Sequence, residues 1–189
     1  GYNRLYVVQP LEDDYTRASL QAKPVATAQA WWTAAFNGHS VATNGPLLSP
    51  KLAGKIPGHI FRARRGEVLQ LQPELTLSTR DPVEYLEVIK NGQVFYSARL
   101  DEFAKAGGVL PIMEVDQSSW VIMRVVTLHE DHYRAAVSAP WYIDFDDQPR
   151  VGRKGVEFFQ RWLAEYEQRL KKLPPSELKR HVPYVRSAR

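Results

Sequence analysis

From Thr43 to Phe145 the chain is a series of short β-prone runs punctuated by glycine and proline. Long helices do not form across such breaks, because proline lacks a backbone N–H and glycine is costly inside regular structure. In residues 120–126, apolar side chains occupy both sets of alternating positions, so both faces of a strand would be apolar. This pattern predicts a central strand covered on both faces. Within that run, Arg124 needs a partner or a sheet edge. Evenly spaced short strands predict a mainly β fold, α+β overall, built on an antiparallel immunoglobulin-like β-sandwich.

The pair Asn91-Gly92 is the clearest local signal. A two-residue type I′ turn needs positive φ at both central positions, which asparagine and glycine tolerate best. Because apolar residues flank the pair on both sides, we predict a hairpin with strands over 84–90 and 93–100. The other predicted strands cover residues 5–8, 42–43 with 47–52, 59–63, 68–77, 110–115, 120–128 and 134–145.

Helices are predicted before the β-rich region. Acidic residues in the first turn favour a helix over 12–20. Thr27 can cap a second helix over 27–37, and Gly38 is a natural stop after it.

One long C-terminal helix is predicted over 155–173. Its apolar residues recur at i, i+3, i+4 and i+7, a pattern typical of a helix with one buried stripe. Pro174-Pro175 should end it, and a short last helix from Ser176 should break or bend at Pro183.

The net charge is +4, but it is unevenly distributed. Residues 150–189 hold 11 Lys/Arg against 4 Asp/Glu, whereas residues 1–149 hold 14 against 17. A basic helical tail is typical of a solvated face, and no nucleic-acid-binding motif accompanies it, so no nucleic-acid partner is expected. No apolar run approaches the ~20 residues of a membrane span, which predicts a soluble chain without a membrane partner.

Cysteine is absent, which excludes disulfides, thiolate metal sites and a cysteine nucleophile. It leaves the compartment open, export of a parent protein included. The start at Gly1, in mid-pattern, indicates a processed or engineered fragment whose N-terminal part lies elsewhere. Oligomeric state cannot be predicted.

Catalytic motifs are missing from the sequence. It contains neither a Gly-x-Ser-x-Gly elbow nor a glycine-rich phosphate loop. His129 and His132 could share a metal, but two ligands in a polar turn form a weak site, and loop solvation is the favoured interpretation. The acids at 144, 146 and 147 lack the glycine and distal glutamate of a calcium loop and indicate a strand end. We therefore assign no catalytic residue, no metal ligand and no cofactor to this chain.

The run 38–48 turns a helix into a strand, and Asn44-Gly45-Pro46 within it marks a fixed turn. With its flanks, this run resembles the region that follows the metal-binding barrel in PHP-type metallohydrolases of the carbaryl-hydrolase-like group. The similarity recurs at residues 1–4, at 139–142 and in Phe158-Phe159-x-x-Trp162. It covers most of the chain.

The resemblance implies a domain plan. Residues 1–40 would be a remnant strand and helices leading out of a missing barrel, residues 41–149 a β-sandwich, and residues 150–189 a helical segment packing on the sandwich. The PHP barrel begins its metal site with His-x-His, which this chain lacks. A divalent metal is thus expected only in the missing barrel, which would be the partner of a noncatalytic accessory domain.

Five residues would then lie nearest the barrel and line its mouth: Asn3, Arg4, His39, Thr43 and Asn44. The alternative is that Asn44-Gly45 only supplies turn geometry and that His39 caps a helix C-terminus. Whether the isolated chain is an enzyme stays open, although its parent would be a metal-dependent hydrolase.

A second hypothesis belongs to another class of protein. Exposed aromatic side chains such as Trp32, Trp141 or Tyr142 could make the fold a carbohydrate- or ligand-binding β-sandwich module. Ring stacking on a sugar requires a contiguous exposed aromatic patch.

Overall fold

A computed structural model describes residues 3–8, 27–130 and 132–188 of the chain. The chain divides into two compact units: unit one is residues 1–149 and unit two is residues 150–189. The helix predicted over 12–20 lies outside the described residues. In unit one the strands are β1 Arg4–Val7, β2 Ser40–Thr43, β3 Leu47–Leu52, β4 Ile60–Ala63, β5 Leu69–Leu71, β6 Pro73–Ser78, β7 Val83–Lys90, β8 Gln93–Ala98, β9 Met113–Val115, β10 Ser119–Thr127, β11 Arg134–Ser138 and β12 Trp141–Phe145, and the helices are α1 Ala28–Phe36 and α2 Leu100–Lys105.

The fold is mixed α+β, with about 39% strand and 28% helix, as predicted at that level. Eight strands form one sheet, and β3–β6 and β5–β9 form two further pairs. The pairing of β12 with β4 is parallel, whereas the other strand pairs of the described residues are antiparallel. The prediction of a purely antiparallel arrangement is therefore wrong at this edge.

β10 lies at the centre of the large sheet. One edge pairs with β7, which continues to β8, while the other pairs with β11 and then with β12. Beyond β11 follow β2 and β1. The predicted strand over 134–145 is thus two strands, because Ala139 and Pro140 interrupt it.

The predicted hairpin is confirmed. Asn91 and Gly92 have φ values of 55° and 80°, and β7 pairs with β8 on either side of them. The Asn91 amide also donates to Ser119 Oγ at 3.2 Å, and its carbonyl oxygen accepts from the N–H of Trp120 at 3.1 Å. These bonds fix the turn against the start of β10.

Among the described residues of unit one, most of the buried apolar side chains form one cluster. Side chains from the eight-stranded sheet and from both two-stranded pairs contribute to it. Trp141 is fully buried there, and its indole N–H donates to the carbonyl of Lys55 at 3.0 Å. Other fully buried members are Leu52, Leu86, Val88, Met113, Val115, Val121, Met123, Val125 and Ile143.

Arg124 has the partner that its position in a central strand requires. It lies opposite Glu87 in the β7–β10 register, and its Nε donates to the Glu87 carboxylate at 2.8 Å. This hydrogen bond raises the pKa of the Arg124 guanidinium against the opposing effect of burial. The guanidinium also lies over the ring of Tyr85, 5.9 Å from its centre.

α1 begins as predicted. The Thr27 hydroxyl accepts from the N–H of Ala30 at 3.1 Å, and Gly38 follows the helix with φ at +75°. The helix end packs against Gly58, where an added Cβ would clash with the carbonyl oxygen of Asn37. Only glycine fits that contact.

Unit two consists of α3 Arg153–Leu170 and α4 Pro175–Ala188. The Tyr166 hydroxyl and His181 Nδ1 lie 2.7 Å apart and link the two helices. Of the predicted break or bend at Pro183, the break is wrong, because α4 continues through that residue to Ala188; the bend stays a prediction. Of the predicted buried stripe only Leu170 is buried; Phe159 and Trp162 are 60% and 58% exposed. No helix of the described residues is long and apolar enough to span a membrane.

Candidate functional site

A cleft of about 570 Å³ opens where β1 and the turn after β2 meet the loop that follows β6. Three of the five residues predicted to bind, Arg4, Thr43 and Asn44, line it. Strand pairing brings these segments together, since Arg4 lies opposite Thr43 and Leu47 lies opposite Ser78. Arg80, Asp81 and Arg134 complete the charged part of the lining.

The turn after β2 forms one wall of the cleft. The hydroxyl of buried Thr43 donates to the carbonyl of Pro46 at 2.6 Å and accepts from the N–H of Gly45 at 3.0 Å. An added Cβ on Gly45 would lie 3.2 Å from the Arg134 side chain, so glycine lets the arginine stem pack on the turn. The Asn44-Gly45-Pro46 turn predicted from the sequence is therefore rigid and closely packed.

Asn44 attaches this turn to β11. Its amide donates to the carbonyl of Tyr133 and its side-chain oxygen accepts from the N–H of Ala135, both at 2.7 Å. Thr43 and Asn44 thus shape the cleft through hydrogen bonds within the protein, which is the turn-geometry role that the sequence left open.

Charge in the cleft is unbalanced toward positive. Three guanidinium groups, those of Arg4, Arg80 and Arg134, share the lining with one carboxylate, that of Asp81. Arg134 Nη1 donates to Asp81 Oδ2 at 2.8 Å, and both side chains are mostly buried. Thr79 holds Asp81 in place, because its hydroxyl accepts from the Asp81 N–H at 3.2 Å and donates to the Asp81 carbonyl at 3.0 Å.

Arg4 has a neutral partner. Its Nη1 donates to the Tyr6 hydroxyl at 3.4 Å. A hydroxyl that accepts a hydrogen bond keeps its own proton for donation, so Tyr6 can donate to a ligand beside Arg4. Arginine and tyrosine thus both supply hydrogen-bond donors to the lining of the cleft.

The other two predicted residues lie outside the cleft lining. Asn3 is exposed just before β1. His39 follows α1, its peptide N–H donates to the carbonyl of Ala34 at 3.0 Å, and its ring Nδ1 is buried without a hydrogen-bond partner. Burial lowers the pKa of His39, which disfavours the cationic ring that a capping role at the helix C-terminus would use.

His59 lies near His39 in the fold. Burial lowers its pKa, and the charges of Lys55 and His39 lower it further. Its ring packs edge-on against Phe61 with 4.6 Å between the ring centres. The surroundings of both imidazoles therefore disfavour protonation, and neither ring belongs to the cleft lining.

The described residues do not bring three His, Asp or Glu side chains together in a way that fits a metal ion. The rings of His129 and His132 stack with 5.4 Å between their centres. Asp147 pairs with Arg62 at 2.8 Å, and Asp146 accepts from the N–H of Arg65 at 3.1 Å. Both acids have φ at +55° in a turn after β12, in agreement with the predicted strand end.

Sequence reasoning did not identify Tyr6, Arg80, Asp81 or Arg134 as residues of the site. Arg80-Asp81-Pro82 is a plain turn signal, and Arg134 opens a predicted strand. The pairings β1–β2, β3–β6 and β2–β11 bring these positions beside Asn44. No motif in the sequence points to them.

Comparison of this chain with protein-family models, with curated proteins and with solved structures gives no match in any of the three. The resemblance to PHP-type metallohydrolases stays a prediction.

Proposed function

We propose that this chain is a noncatalytic accessory domain of a PHP-like metal-dependent hydrolase, and that its cleft contributes binding residues at the mouth of the barrel. The observation that carries the proposal is that Arg4, Thr43 and Asn44 line one cleft. This cleft lies beside β1, the segment that would close the barrel if the resemblance holds. Arg4 lies on β1, which among the described strands pairs with β2 alone and so forms a sheet edge.

An immunoglobulin-like β-sandwich is part of the same proposal. It is supported by the single apolar cluster to which the eight-stranded sheet and both two-stranded pairs contribute. Two facing β layers with one shared core are the defining feature of a sandwich.

Metal content and turnover test the noncatalytic role. The full chain would be incubated with Zn²⁺, Mn²⁺ or Fe²⁺, desalted, assayed for bound metal and tested on phosphoester and carboxylester substrates. We expect substoichiometric metal and no turnover. Stoichiometric metal with turnover would contradict the proposal.

The parent's class is tested by the residues encoded immediately upstream of Gly1 in the native gene product. We expect a His-x-His followed by further His and Asp clusters, since these begin the PHP metal site. A native product without them would overturn the PHP assignment and leave the accessory-domain role to be judged on binding alone.

The alternative of a carbohydrate-binding module is favoured by one observation. Trp32 and Phe36 on α1 are 53% and 85% exposed, and their ring centres lie 6.0 Å apart. Trp141, which was predicted together with Trp32 to bind sugar, is wholly buried and therefore cannot stack on a sugar.

Oligosaccharide binding by the wild-type chain, by Trp32→Ala and by Trp162→Ala tests the alternative. Trp162 is a matched control, since it is 58% exposed but lies on α3 in the other unit. Loss of binding in Trp32→Ala alone would support the module, and absence of binding by the wild type would exclude it.

A further inference from the structure

We infer that the cleft binds the phosphate group of a small phosphomonoester through Arg4 and Arg80. This inference rests on the proposed function, because it names the ligand that the accessory domain would hold. The step beyond that function is the chemical class of the ligand and the identity of the two arginines.

The charge of the cleft matches a dianion. Three guanidinium groups and one carboxylate leave a net charge of +2 in the lining. Arg134 is engaged by Asp81, whereas Arg4 and Arg80 take part in none of the ion pairs found in the described residues. A phosphomonoester carries a charge of about −1.5 to −2 at pH 7, so it can balance both arginines.

The donors of the cleft suit phosphate oxygens. A guanidinium presents its N–H groups as a planar fork, which fits phosphate in a bidentate arrangement. The Tyr6 hydroxyl accepts a hydrogen bond from Arg4 and adds a donor of its own next to that arginine. A dicarboxylate such as succinate matches the charge but divides it between two separate groups, each with two oxygens, whereas a phosphomonoester offers three oxygens on one centre to both guanidinium forks.

The walls are ordered before a ligand arrives. The Thr43 hydroxyl closes the turn after β2, Asn44 attaches it to β11, and Thr79 holds Asp81 against Arg134. A binding site whose groups are already positioned loses less conformational entropy on binding. A volume of about 570 Å³ is in the range of small-molecule sites, so the ligand is a small molecule.

Calorimetric titration of the full chain tests the inference. The probes are inorganic phosphate, glycerol 3-phosphate and succinate, at fixed ionic strength. We expect both phosphates to bind and succinate to bind much more weakly. Tighter binding of glycerol 3-phosphate than of inorganic phosphate would identify the monoester as the ligand, and equal or tighter binding of inorganic phosphate would overturn that part.

Arginine variants locate the site. Arg80→Gln and Arg4→Gln should each weaken phosphate binding about tenfold, as expected for loss of one charge-assisted contact. Arg80→Lys keeps the charge but not the fork and should lose less. Arg65→Gln is the matched control, because Arg65 is exposed and lies outside the cleft lining.

Equal weakening by Arg65→Gln and Arg80→Gln would show diffuse attraction and overturn the inference, as would absence of phosphate binding by the wild type. Phosphate release from glycerol 3-phosphate is followed in the same samples with Mn²⁺ added. Turnover would contradict the noncatalytic role but not the binding site. Absence of both binding and turnover would overturn the binding site and leave the noncatalytic role in place.

Discussion

The side-chain oxygen of Asn44 accepts a hydrogen bond from the backbone N–H of Ala135 at 2.7 Å, and the backbone N–H of Asn44 donates to the carbonyl of Ala135 at 3.2 Å. One residue thus satisfies both backbone groups of its neighbour, just beyond the point where β2 and β11 stop pairing. The cleft wall is fixed to the sheet by this exchange.

Asn44→Ala should destabilise unit one. The change leaves the part-buried N–H of Ala135 without its side-chain partner, which costs about 1–3 kcal/mol, whereas the carbonyl of exposed Tyr133 can bind water instead. We expect a loss of about 2 kcal/mol in the free energy of unfolding, measured by urea titration. Asn3→Ala serves as control, since Asn3 is exposed outside the strands. Equal stabilities of Asn44→Ala and wild type would contradict the structural role of the side chain.

Most strands could be predicted from local pattern. The hairpin at Asn91-Gly92 and the apolar run of β10 depend on turn chemistry and burial, which neighbouring residues decide. α2 is not predicted from the sequence: the strand predicted over 93–100 overlaps it only at Leu100, and no element is predicted over 101–109. Its signal was Glu102, which accepts from the N–H of Arg99 at 3.0 Å as in a capping box.

Pro183 shows where a local rule fails. Proline removes a single N–H donor from α4, and the turn before it is held by the contact between His181 and Tyr166. After it, the Ser187 hydroxyl donates to the Pro183 carbonyl at 3.1 Å. Tertiary contact and this local bond let the helix continue.

The cleft could be predicted only in part. Arg4, Thr43 and Asn44 were singled out by a resemblance around one turn, and they share a cavity. Arg80 and Arg134 come from loops and strands far along the chain, so strand pairing, rather than spacing, brings them in.

Glu87→Gln should destabilise the central sheet by about 2 kcal/mol, because it leaves the Arg124 charge partly buried without its counter-charge. This expected loss of stability is smaller than for a fully buried ion pair, because the Arg124 side chain is 33% exposed. The double variant Glu87→Leu with Arg124→Met should recover most of the loss, as apolar replacements of buried pairs do. Thermal unfolding measures both, and a double variant no more stable than Glu87→Gln would contradict this account.

Gly58→Ala and Gly66→Ala form a matched pair for the packing of α1. Both glycines have positive φ, +85° and +93°, so alanine pays about 1–2 kcal/mol of backbone strain at each. Gly66 has open space around an added Cβ, whereas Gly58 would meet Asn37 and the His39 ring. Gly58→Ala should therefore cost about 1–3 kcal/mol more in chemical unfolding. Equal losses would show that the helix end does not pack on Gly58.

The free energy of unfolding should fall as the pH drops below the ordinary histidine range, near about 6.5. Burial lowers the pKa of His39, and burial with the charges of Lys55 and His39 lowers the pKa of His59. The folded chain then binds fewer protons than the unfolded chain, so stability is full above that range and is lost as the pH falls through the lowered pKa values. Melting temperatures between about pH 7.5 and 5.5 should show this slope, and His39→Gln with His59→Gln should flatten it. Identical slopes in wild type and double variant would mean that other groups cause the dependence.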